Sequence, residues 1–418
     1  MLTNKFYLIN GLPGVGKTTI IDAFCEYMYS QKNIKHIKIC CPTGLAAKNI
    51  RDKLTHTKIK ETVSTIHKFK YKCQYMEYNS EENPLDILII DEASMIDTHL
   101  MYEIMCIVDE KNCSLILLGD TNQLPPISIG TPFDYFMKTK SLNSSFLNII
   151  MRQNKSDLKD LINDMAMKKI EIDVNNYLND KTIVFEDCDI HKDTIKQIID
   201  KYKLNFRNSK FISPCHKKQS GVKTINTIIQ SLDNGIYKGE SIDNNYTGAK
   251  EYKYIYNNVE YKYKVDDVIL CTHNFPKERN GRIFVNGDFC VITAIHINYK
   301  DETKSYFILQ CMDDKTVHDF SLEDILDFFS LGFCCTIHKV QGSQYNKVVL
   351  FLKEESSFQW YGKDGIKLLY TAISRAKQQC IVVGKQSFFQ EILNNIKNVN
   401  DNINDITRII EYIDEDFI

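Results

Sequence analysis

GLPGVGKTT, Gly11–Thr19, lies between the apolar run KFYLI at 5–9 and a helix-patterned stretch from about Lys17 to Tyr29. The spacing fits G-x-x-x-x-G-K-[ST] in the strand–turn–helix setting that gives this pattern its meaning. Glycines let backbone N–H groups turn inward around phosphates without a side-chain clash, and the helix start adds partial positive charge. On this reading Gly11, Pro13, Gly14, Val15, Gly16, Lys17, Thr18 and Thr19 form a triphosphate cradle. Lys17 would reach the β- and γ-phosphates, and Thr18 would ligate Mg²⁺. Outward from the cradle, HIKIC at 36–40, DILII at 86–90 and SLILL at 114–118 read as further strands with helices between them. Short apolar strands alternating with helices predict an α/β lobe, a parallel sheet covered on both faces, over residues 1–150.

The pattern resumes with KFIS at 210–213, KVVLFL at 347–352 and QCIVVG at 379–384, which predicts a second α/β lobe from 151–245 and 326–395. Between 246 and 325 the texture changes to short Tyr-, Val- and Ile-rich runs with turn signals at Asn280-Gly281 and Asn286-Gly287. That spacing predicts a small antiparallel β-barrel inserted into the second lobe. The Tyr-rich segment 70–84, ending NSEENP, is expected to form a short hairpin on the first lobe, and residues 396–418 an acidic tail.

A phosphate cradle alone does not choose between a kinase, a GTPase and a motor. ILIIDEAS places Asp91 and Glu92 at the tip of a buried strand. Asp91 suits a second Mg²⁺ contact, and Glu92 suits the base that orients and deprotonates an attacking water. LLGDTNQLPPI, Leu117–Ile127, brings Gln123 to the sheet edge, where it can donate its amide to the γ-phosphate or the water, and Pro125-Pro126 stiffens the chain just beyond it.

Composition limits the classes further. The chain has 43% hydrophobic and 25% charged residues and a formal net charge of −2, so bulk positive potential does not hold a polyanion here; a local groove must. No stretch reaches the roughly 18–20 apolar residues of a membrane span. The chain enters its first motif within ten residues, leaving no room for a signal peptide, so an intracellular location is expected. The 14 cysteines form no C-x-x-C pair; the doublets Cys40-Cys41 and Cys334-Cys335 sit in apolar strand-like surroundings, where cysteine behaves as a small hydrophobe.

The order of motifs resembles the superfamily 1 helicases, specifically the 5′→3′ branch with RecD-like and Dda-type members. CPTGLAA (41–47) and STIHKF (64–69) are similar to that family's strand-binding segments. IMRQ (150–153) is similar to its ATP-sensing segment, and ISPCHKKQSGVKTIN (212–226) to the start of its second lobe. CTIHKVQGSQYNKVVL (335–350) and LLYTAISRAK (368–377) resemble its last two motifs. The resemblance implies two RecA-like lobes with a Src-homology-3-like barrel inserted in the second. It also implies Mg-ATP between the lobes, and Arg152 and Arg375 reaching the phosphates. Gln341 and Gly342 would add to the nucleotide site. A guanidinium fork suits charge spread over phosphoryl oxygens, and two of only seven arginines fall inside matching motifs.

For single-stranded DNA, the family nominates Thr43, Thr65, His67, Pro125, Thr336, His338 and Lys339, with small hydroxyls and backbone amides binding phosphates without reading sequence. RNA is the alternative track. A monomer is expected, with replication or repair proteins meeting the acidic tail. Relatives carry a glutamine-bearing helix before the cradle. Here four residues precede the first strand, so that base contact is expected to be missing or replaced. Two rivals remain from other classes. A small-molecule kinase would use the cradle but has no place for Thr336, Gln341 and Arg375; a non-hydrolysing scaffold would not need Lys17, Asp91, Glu92 and Arg375.

Overall fold

The computed structural model describes residues 6–395 except 31–35, 76–83, 141, 149–155, 170, 207, 233–250, 257–258, 277, 280–281, 299–303, 313, 357–359 and 362–363. Its first layer is a six-stranded parallel sheet. The strands are β1 (Phe6–Gly11), β2 (Ile37–Cys41), β3 (Val63–Thr65), β4 (Ile87–Ile90), β5 (Ser114–Gly119) and β6 (Asn143–Leu147), in the spatial order β3-β2-β4-β5-β1-β6. β4 is buried at all four positions, as a strand covered on both faces must be. The helices α1 (Lys17–Ser30) and α2 (Gly44–Lys53) pack on one side with Ile21, Cys25, Ala47 and Ile50 in the core. The sheet's other side holds a separate core of Leu8, Leu88, Ile90, Leu115 and Phe133.

The second sheet is also parallel. β7 (Ile183–Glu186) and β8 (Ser209–Ser213) come from before the insertion. β18 (Cys334–Thr336), β19 (Tyr345–Phe351) and β20 (Ala376–Val383) come from after it, and the spatial order is β18-β8-β19-β20-β7.

The inserted segment is antiparallel, as its turn signals predict. β11 (Val268–Cys271), β14 (Phe289–His296), β15 (Tyr306–Cys311), β16 (Val317–Ser321) and β17 (Phe329–Leu331) form one sheet in the order β16-β15-β14-β11-β17. The hairpin of β9 (Glu251–Tyr256) and β10 (Val259–Lys264) and the short pair β12 (Glu278–Arg279) and β13 (Arg282–Ile283) accompany it. Aromatic residues fill its core, with Phe284, Phe307 and Phe320 fully buried.

Two boundaries differ from the expectation. The insertion runs past 325, because β17 pairs with β11 and the parallel sheet resumes only at Cys334. The expected hairpin at 70–84 is a helix over its first six residues, part of α4 (Ile66–Tyr75, with α3 at Thr57–Thr62). Phe69 is buried there while His67, Lys68, Tyr71 and Lys72 are exposed, a helical rather than an alternating pattern. Residues 76–83 and the acidic tail at 396–418 lie outside the described residues, as does Arg152.

Candidate nucleotide cleft and nucleic-acid surface

The cradle is the turn between β1 and α1. Gly14 and Gly16 hold φ of 83° and 91°, the left-handed region where a side chain is strained. Leu12 and Val15 are buried in a core shared with second-lobe residues such as Leu369 and Ala372, so the loop is braced by the opposite lobe. Lys17 folds back over the loop, its Nζ donating to the Gly11 carbonyl at 2.5 Å.

One cleft of about 210 Å³ joins these residues to the other lobe. Pro13, Gly14, Gly16, Lys17, Thr18 and Thr19 line it from the cradle, and Asp91, Glu92 and Gln123 from the tips of β4 and β5. Gly342, Gln344 and Arg375 line it from the second lobe. Gly11, Val15 and Gln341 stand behind this lining: Val15 is in the core, and Gln341 is buried with its Nε2 donating to the Leu124 carbonyl at 3.3 Å.

Each acid of the pair has a distinct setting. Asp91 is buried at the end of β4, its backbone N–H donating to the Cys40 carbonyl. Burial, then the neighbouring Glu92 charge, push its carboxyl up to about 6, while Lys17 opposes the shift. Glu92 sits at φ 56°, ψ 39°, a left-handed conformation uncommon for a side-chain-bearing residue. Its Oε2 is buried and accepts no hydrogen bond from the described residues. Arg375 is 2% exposed. Its Nε donates to the Thr371 carbonyl, Nη1 to the Ser343 carbonyl and Nη2 to the Ser374 hydroxyl, at 2.9–3.3 Å. Burial pulls the guanidinium's pKa down, and the Glu92 charge across the cleft is the first influence holding it up.

Sequence reasoning missed one wall of the cleft. Ala46, Asn49, Ile50 and Lys53 line it from α2. Their spacing of three and four residues is one helix face, and that periodicity was the available signal. Asn49 also bridges the lobes, its Nδ2 donating to the Gly342 carbonyl at 2.9 Å.

The nominated strand contacts fall into a repeated arrangement. Thr65 ends β3 and Thr336 ends β18, and each of these strands is the edge of its own parallel sheet. The two threonine hydroxyls accept the backbone N–H three residues on, from Lys68 at 3.2 Å and Lys339 at 3.4 Å. Thr43 caps α2, accepting from the Ala46 N–H at 3.1 Å. His67 is exposed, His338 is half-buried, and Pro125 is buried. The insertion's turn reaches this surface. Lys339 donates to Asn286 Oδ1 at 2.5 Å, and Lys48 of α2 pairs with Asp288 at 3.6 Å. Gly44 lies so close to Val285 that a Cβ would come within 2.2 Å of its side chain.

Two family models match the chain, one described as an AAA domain over residues 1–129 and one as a UvrD-like helicase C-terminal domain over 331–383. The chain is 28% identical to the RecBCD enzyme subunit RecD of Buchnera aphidicola, across 94% of this chain and 73% of that one. It is 26% identical to an uncharacterised protein of Methanocaldococcus jannaschii, across 99% of this chain but only 40% of the relative's length. Among solved structures, Bacteroides Pif1 bound to single-stranded DNA superposes with a TM-score of 0.58 at 15% identity, covering 93% of this chain and 91% of that one. At that identity the likeness is one of fold: mixed α/β, with two parallel sheets arranged as in those lobes.

Proposed function

We infer that this chain, a superfamily 1 helicase of the RecD-like and Pif1 type, hydrolyses ATP between its two parallel-sheet lobes and thereby moves 5′→3′ along single-stranded DNA. One observation carries the reading. Lys17, Asp91, Glu92 and Gln123 of the first lobe and Arg375 of the second line a single cleft.

The division of labour comes from the side chains. Backbone N–H groups of the cradle and the Lys17 ammonium hold the β- and γ-phosphates. Glu92, whose buried Oε2 has no partner among the described residues, accepts the proton of the attacking water. Arg375 neutralises charge on the transferred phosphoryl group, so turnover depends on both lobes being engaged. The donor set fits Mg²⁺: Thr18 offers a hydroxyl and Asp91 a buried carboxylate crowded by the Glu92 charge, which a cation would relieve. When bound there the ion would screen the phosphate oxygens.

The strand track runs over Thr43, Thr65 and His67 on one lobe and Thr336, His338 and Lys339 on the other. Its symmetry supports a grip that alternates between lobes as the cleft opens and closes. The antiparallel insertion acts as a small Src-homology-3-like barrel whose Asn286–Asp288 turn roofs the junction between α2 and Lys339. Unwinding of duplexes with a 5′ or a 3′ single-stranded tail tests polarity. The 5′-tailed substrate is expected to be opened, and opening of the 3′-tailed one alone would refute the direction. Parallel ATPase assays with deoxy- and ribo-homopolymers decide between DNA and RNA as the track.

A further inference from the structure

Deepening the reading above, on which it rests, we propose that Tyr370 is a positioning residue for hydrolysis. Its hydroxyl, from the second lobe, sets Gln123 of the first through the carboxylate of Asp120. Asp120 lies directly after β5 and is completely buried, and Tyr370 is 2% exposed. The Asp120 Oδ1 accepts the Asn122 N–H at 3.0 Å. Its Oδ2 takes two side-chain donors, the Tyr370 hydroxyl at 2.9 Å and Gln123 Nε2 at 3.4 Å.

That arrangement decides which end of the Gln123 amide serves the cleft. With Nε2 turned to Asp120 and not to the phosphate as expected, the other end of this cleft-lining side chain is Oε1, which is buried and has no hydrogen-bond partner among the described residues. A buried acceptor without a donor is costly unless something fills it. A water held for attack on a phosphoryl group carries the matching hydrogen.

The donor that comes from the opposite lobe is therefore part of the site. Second-lobe groups hold the same turn at two more points: the Leu124 N–H donates to Thr371 Oγ1 at 3.0 Å, and Gln341 Nε2 donates to the Leu124 carbonyl. Without the Tyr370 hydroxyl, Gln123 is the remaining side-chain donor to Oδ2. Its amide would tighten onto Asp120 or swing, and either movement takes Oε1 off the water.

The test compares Tyr370→Phe in the wild-type and Gln123→Ala backgrounds, measuring ATP turnover with saturating oligo(dT), the KM for ATP and the affinity for oligo(dT). Tyr370→Phe is expected to lower kcat about tenfold, as loss of one charge-assisted hydrogen bond does, with KM and DNA affinity changed less than about twofold. In the Gln123→Ala background the same substitution is expected to change kcat less than about twofold, because the group it positions is gone. Asp120→Asn keeps the shape and removes the charge, so it should reproduce the kcat loss should Tyr370→Phe fail to fold. Equal losses in both backgrounds would show a merely structural hydroxyl. Unchanged kcat in Tyr370→Phe, or in Gln123→Ala itself, would also overturn the inference. A wild-type protein without DNA-stimulated turnover would instead refute the helicase reading beneath it.

Discussion

Arg375→Ala separates binding from turnover, and the structure sets the size of the effect. A guanidinium carries five N–H groups. Three of those on Arg375 are committed to Thr371, Ser343 and Ser374, leaving two N–H groups on a side chain that lines the cleft. Two charge-assisted hydrogen bonds to the transferring phosphoryl group, at about 1.5–3 kcal/mol each, amount to about 3–6 kcal/mol. That corresponds to a kcat reduced by roughly 10² to 10⁴. The cradle belongs to the other lobe, so the affinity for an ATP analogue is expected to change less than about threefold. The variant also takes this donor from the Ser343 carbonyl, while the Thr371 carbonyl keeps the Ser374 hydroxyl, so it costs about 1–3 kcal/mol of stability and a melting curve must accompany the kinetics. Arg375→Lys serves as the folded control. A point charge cannot reproduce the fork, and turnover should stay well below wild type. Steady-state ATPase with saturating oligo(dT) reads the outcome. A folded Arg375→Ala protein with kcat within about threefold of wild type would remove the interlobe mechanism.

Glu92→Gln keeps the shape of the side chain and loses the proton acceptor; ATP binding should persist while single-turnover hydrolysis falls at least about a hundredfold. Lys339→Ala should weaken oligo(dT) binding and reduce the slope of log affinity against log salt by about 0.7, the share of one phosphate contact on a single strand; an unchanged slope would take Lys339 off the track. Burial pushes the Asp267 carboxyl up to about 7, from 3.8, despite hydrogen bonds from Gln230 and the Lys264 backbone. The folded state therefore retains a proton there that the unfolded chain has lost, and stability falls as pH rises from about 4 to about 7, then levels. In Asp267→Asn that part of the pH dependence of the melting temperature should disappear, and its persistence would assign the titration to another group.

The nucleotide half of the site was legible because its chemistry is local in sequence. GLPGVGKTT and ILIIDEAS each place reactive groups at a strand tip within a few residues, and buried strands such as β4 announce themselves as apolar runs. Contacts between distant segments were not legible. Asn49 meets Gly342, and Asp120 meets Tyr370, only because the two lobes face one another. The three-residue edge strands β3 and β18 are too short to show a period, although they place the two TIHK segments at equivalent sheet edges. The Tyr-rich stretch after Phe69 suggested a hairpin by composition, whereas burial of Ile66 and Phe69, three residues apart on one face, favours the helix that forms through Tyr75. β17 is separated from the rest of the insertion by the Leu322–Phe328 helix, which hid the true end of that element.

Whether this chain is a strand-driven motor is decided by ATP turnover of the purified protein, with and without single-stranded oligo(dT) and with Lys17→Ala as control. Slow hydrolysis is expected from the protein alone, with an increase of at least about tenfold on adding DNA, and neither in Lys17→Ala. Turnover by the wild type that ignores the strand would contradict the coupling of the cleft to the track.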